Sequence, residues 1–84
     1  MNRQQLINRT ILDDLDHLPK DYMQSDAALR ATVCMIVVPR PTTQELDSAL
    51  RDLDGRRLIT TVINQDTGTK YSLPDAGRAV LANM

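Results

Sequence analysis

Apolar residues recur along this chain at two different periods, and the change from one to the other marks its elements. Between Asn2 and Leu18, Leu6, Ile7, Ile11, Leu15 and Leu18 share a face, with Leu12 at its margin. That spacing predicts a first helix, ended by Pro19. It returns between Thr42 and Asp54, where Leu46, Ala49, Leu50 and Leu53 form one stripe. Beyond Gly55 the period shortens. Leu58 to Ile63 is β-branched and strand-like, Gln65 to Thr69 is turn-like, and Lys70 to Leu73 alternates polar and apolar, which predicts a hairpin. Pro74 to Met84 reads as a closing helix, with Ala76, Val80 and Met84 as its buried stripe and Ala79 beside them.

Local chemistry sets the boundaries. Thr42-Thr43-Gln44-Glu45 fits a capping box, in which the Thr42 hydroxyl and the Glu45 carboxylate each take the other residue's backbone N–H. Gly55 stands where a left-handed residue would close that helix. Ser25 reads as another N-cap with Asp26 in the first turn, and Lys20 to Gln24 as a connector holding an extended piece around Tyr22. Two readings stand for Thr32 to Val38. The run continues a helix begun at Ser25, which length favours, or it is a buried β-branched strand. Pro39-Arg40-Pro41 then forms a rigid turn, and helices joined by so short a link cross steeply, as in a helix-turn-helix. The fold class expected is mainly α with a small antiparallel β hairpin, in one domain spanning 1–84.

Eighty-four residues give a core just above the marginal size, so self-association would help. The two aromatics are tyrosines, which argues against stacking platforms for single-stranded nucleic acid. One cysteine and one histidine supply neither an internal disulfide nor a zinc-ligand set, so no metal or cofactor is expected. Cys34 reads as a small buried filler and His17 as a solvated surface residue. Asp13, Asp14 and Asp16 cluster without a His or Cys partner, so an enzyme is not expected. No apolar run reaches bilayer length and no signal peptide opens the chain, so a setting off the membrane is expected, and the single cysteine makes a reducing, cytoplasmic one the default. Net charge is −1, yet it is uneven: residues 1–54 hold nine acids and six bases, and residues 55–84 two acids and four bases. The positive end coincides with the hairpin.

The order of helix, extended piece, helix, turn, helix, hairpin and helix resembles the winged helix-turn-helix plan. Glu45 to Ile59, with Ala49-Leu50, Leu53, Gly55 and Leu58-Ile59, is similar to the string that ends a recognition helix and begins the first wing strand in bacterial MarR-type and PadR-type regulators. Lys70 to Ala79 resembles the string that closes their wing, with Pro74 in place of the usual threonine, so a helix cap there must come from Asp75 or be absent. The resemblance implies a three-helix core, a two-stranded wing and a C-terminal helix, in a DNA-binding domain of bacterial or phage type concerned with transcription.

It also implies roles. The helix over 42–54 would enter the major groove of double-stranded DNA and present Thr42, Thr43, Gln44, Asp47, Ser48 and Arg51. Glutamine suits adenine and arginine suits guanine. Arg56, Arg57 and Lys70 at the 56–73 wing, and Arg40 in the turn, would touch phosphates or the minor groove. Against this, the same helix carries Glu45, Asp47, Asp52 and Asp54, whose charge opposes phosphate. That acidity supports a rival expectation, a non-catalytic protein–protein interaction module on the same fold. A homodimer through the first and last helices fits either.

Overall fold

The computed structural model describes residues 2–19 and 22–83. Its elements are α1 (Arg3–Asp16), β1 (Gln24–Ser25), α2 (Asp26–Ile36), α3 (Thr43–Gly55), β2 (Thr60–Asn64), β3 (Gly68–Ser72) and α4 (Asp75–Ala82). The protein is mainly helical with one small antiparallel sheet. That sheet has three strands in the order β1-β3-β2, not the two expected, because Gln24 and Ser25 pair with Tyr71 and Lys70 on the far side of β3. Residues 32–36 are helical, and Val37 to Pro39 bend away from α2, so the buried-strand reading of 32–38 is set aside.

α1, α2 and α3 each begin on a side-chain cap. The α3 capping box forms as expected, and α1 has one too: Asn2 accepts from the Gln5 N–H, and the Gln5 side chain accepts from the Asn2 N–H. Ser25 accepts from the Ala28 N–H at 3.2 Å. Behind Pro74 there is no side-chain cap, and only Asp75 in the first turn favours the start of α4 electrostatically. The end of α3 differs from expectation. Gly55 is still helical, and the left-handed residue is Arg57, with φ +60°. Its N–H donates to the Asp54 carbonyl and that of Leu58 to the Leu53 carbonyl, a Schellman closure with arginine where glycine is usual.

α1 is packed by α2, α3 and α4, so its buried arc is broad. Ile7, Asn8, Ile11, Leu12 and Leu15 lie inside, and Leu12 is central where a margin was expected. Leu6, placed on the buried face by spacing, is 38 % exposed. α4 is also rotated from its expected face. Gly77 is buried, Val80 and Leu81 are half-buried, and Ala76 and Ala79 face out. Met84 lies outside the described residues, as do Lys20 and Asp21 of the expected connector.

Candidate functional site

Four side chains of α3 close its inner face: Leu46, Ala49, Leu50 and Leu53 are 0–6 % exposed. At about 100° per residue, Gln44, Ser48 and Arg51 then fall together on the opposite crest. All three are exposed, as are Thr43 and the turn residue Arg40. The four acids sit on the two flanks between crest and core, and every one is engaged.

On one flank the partners come from α1. Arg3 donates through Nε to Glu45 at 2.6 Å and through Nη2 both to Glu45 at 3.2 Å and to the Pro39 carbonyl at 2.8 Å. One guanidinium thereby ties the start of α1 to the turn and to the first turn of α3. The Arg3 hydrogen bond, helped by the Thr42 N–H, pulls the Glu45 carboxyl down to about 2. Asp52 accepts from the buried Asn8 at 3.3 Å and from Arg56 at 2.8 Å.

The other flank is tied to α2 and the sheet. Arg30 holds both Asp26 oxygens at 3.0 Å and Asp47 at 2.6 Å. The Tyr71 hydroxyl of β3 completes that network by donating to Asp26 at 2.7 Å. Burial, and then the Asp26 hydrogen bond, push this phenol up to about 12. Asp54 accepts from the Thr61 hydroxyl of β2 at 3.0 Å. Glu45, Asp47 and Asp52 are thus paired with arginines, whereas Asp54 is bonded only to a neutral hydroxyl and keeps its charge, so pairing reduces the acidity of α3 without removing it.

The expected site residues therefore divide. Thr43, Gln44, Ser48 and Arg51 share the α3 crest and its edge. Thr42 caps α3, its hydroxyl accepting from the Glu45 N–H at 3.1 Å. Arg56 is held by Asp52. Arg40, Arg51, Arg57 and Lys70, by contrast, make no ion pair among the described residues. Arg40 and Thr43 border a groove of about 320 Å³ between α2 and α3, floored by Ala31, Cys34 and Leu46. Lys70 is half-buried on β3, opposite Val62.

The partners Arg3, Asn8, Arg30 and Tyr71 were not found from sequence. Only Asp26–Arg30 and Asp52–Arg56 carry a local signal, being i,i+4 pairs of opposite charge. The long-range ties span 17 to 45 residues and leave none.

Elsewhere, a cleft of about 350 Å³ lies between the end of α1 and the start of α4, edged by Tyr22, Asp75 and Arg78. Asp14 keeps one buried carboxylate oxygen without a partner among the described residues, and burial raises its pKa. No cluster of His, Cys, Asp or Glu suited to a metal occurs among the described residues, and none of their helices is long and apolar enough to cross a membrane. No family model, curated protein or solved structure matches the chain.

Proposed function

We propose that this chain is a small winged-helix DNA-binding protein that reads the major groove with the α3 crest and steadies itself on phosphates with Arg40 and the β2–β3 hairpin. The observation that carries the reading is the division of charge. Three of the four α3 acids, Glu45, Asp47 and Asp52, are paired with arginines, while Arg40, Arg51, Arg57 and Lys70 have no acidic partner among the described residues. Gln44 and Ser48 share the crest with Arg51, and these residue types pair with base edges. Arg57, the left-handed residue that closes α3, is exposed at the entry to the hairpin, where its side chain is open to a phosphate.

Few phosphates are in reach of one copy, so binding should be weak and steeply salt-dependent, with a log–log slope of roughly −3 for three to four neutralised phosphates. Fluorescence anisotropy with random duplex DNA at low salt tests this. Binding in the micromolar range, weakened about tenfold or more by Arg40→Ala with Arg51→Ala, is the expected result. No binding at tens of micromolar, or a double variant that binds as tightly as the parent, removes the proposal.

A second reading, a non-catalytic protein-interaction module, is favoured by one feature. Met35 and Val38 are 83 % and 82 % exposed at the end of α2, beside Ile36, which shares a groove with Leu6. Under that reading Met35→Lys abolishes partner capture and nuclease treatment does not.

A further inference from the structure

The outer edge of the sheet is bare. β2 is an edge strand bonded only to β3, and none of its outward backbone N–H or C=O groups finds a backbone partner among the described residues. Folded proteins usually blunt such an edge with a lysine, a proline, a bulge or a covering loop. Among the described residues none is present here. Leu58 to Gln65 contains no charged residue and no proline, and its pairing with β3 runs unbroken from Thr60 to Asn64. Val62 is 43 % and Ile63 79 % exposed.

We propose that this edge is a homodimer interface, with β2 of a second copy added antiparallel about a two-fold axis at Val62 to make a six-stranded sheet. The geometry favours a copy of the same chain over an unrelated strand. About that axis Thr60 meets Asn64, Thr61 meets Ile63 and Val62 meets Val62, so no like charges are opposed. The ends carry opposite signs: Asp66 sits in the turn beyond one end and Arg57 precedes the other, and antiparallel pairing brings Asp66 of each copy to the end that holds Arg57 of the other. The two Lys70 side chains stand three strand spacings apart, about 14 Å, beyond the screening length at physiological salt. The assembly also closes. The opposite edge of each sheet is β1, two residues long, which is too short to propagate pairing into a filament. An interface of ten strand residues is small, so the dimer should be concentration-dependent.

Sedimentation velocity over about a hundred-fold range of concentration, without DNA, reads the outcome independently of any nucleic-acid function. The parent protein should move from monomer to dimer. Val62→Lys and Val62→Glu each set like charges directly across the axis, so each alone should remain monomeric, and an equimolar mixture should dimerise again. Val62→Glu faces Lys70 on β3 and keeps the hairpin folded, which circular dichroism of both variants verifies. Met35→Lys, on the other exposed apolar corner, should leave the dimer intact. A parent that stays monomeric overturns the proposal. So do dimers of either single Val62 variant as strong as the parent's, a mixture of folded variants that does not recover, or dissociation by Met35→Lys.

Discussion

α3 and the β2–β3 hairpin follow one another in the chain and are held by opposite means. α3 buries one whole face and is clamped along both flanks by α1, α2 and Thr61. The hairpin buries almost nothing of itself. β2 contributes no buried residue and β3 only Tyr71, with Ile59 before and Leu73 after the pair. Under the proposed function α3 has to hold its register, and the clamps on its two flanks would serve that. The two are thus unequally anchored, and the hairpin owes its position to a few contacts at its base.

The heaviest of those contacts is Gly77. A Cβ built there would overlap the Leu58 carbonyl oxygen and sit 2.6 Å from Leu73 Cδ1, at the points where the chain enters and leaves the hairpin. Backbone cannot step aside as a flexible side chain would, so Gly77→Ala should cost about 2–3 kcal/mol by urea denaturation. A loss under about 0.5 kcal/mol would mean that α4 does not press on the base of the hairpin at all. Next in size is Tyr71→Phe, which removes the hydroxyl's bond to Asp26 while leaving Asp26 with Arg30. Hydrogen bonds to charged groups are worth roughly 1.5–3 kcal/mol, and the lower end fits a partly exposed partner. Native-state hydrogen exchange should show residues 68–72 losing more protection than α3. Equal loss in both would dissolve the contrast between them.

What was legible beforehand follows the same division. Local rules found α3, because its capping box and apolar stripe lie within twelve residues of sequence, although its left-handed stop proved to be Arg57 and not Gly55. The hairpin was equally visible in the shift to period two. The third strand was not, since a two-residue pairing at Gln24–Ser25 has no pattern of its own. The faces of α1 and α4 were misjudged because spacing gives an apolar stripe but not the number of neighbours. Leu12 goes inside once three helices surround α1, and Gly77 is the buried residue of α4 because closeness, not hydrophobicity, is what that contact requires. Above all, the acidity of α3 was visible and its long-range pairing with Arg3 and Arg30 was not. Arg3, Asn8 and Arg30 are ordinary polar residues until the fold brings them to the flanks.

The smallest effects should separate the two regions by pH. The Glu45 carboxyl, held by Arg3, binds protons less readily folded than unfolded. Its contribution to stability is therefore complete above the unfolded value of 4.5 and is lost as pH falls through about 2. Tyr71 works in the other direction. Its phenol keeps its proton more tightly in the fold, so its contribution is complete below 10.0 and is lost as pH rises through about 12. Acid should accordingly loosen the start of α3, and alkali the base of the hairpin. Glu45→Gln should flatten the acid limb of a stability–pH curve and leave the alkaline limb alone, while Tyr71→Phe should do the reverse. Titration followed by amide shifts at Thr42 and Glu45 on one side, and by tyrosinate absorbance on the other, checks each arm. If Glu45→Gln altered both limbs alike, the two anchors would be one network, and the independence of helix and hairpin would fail with it.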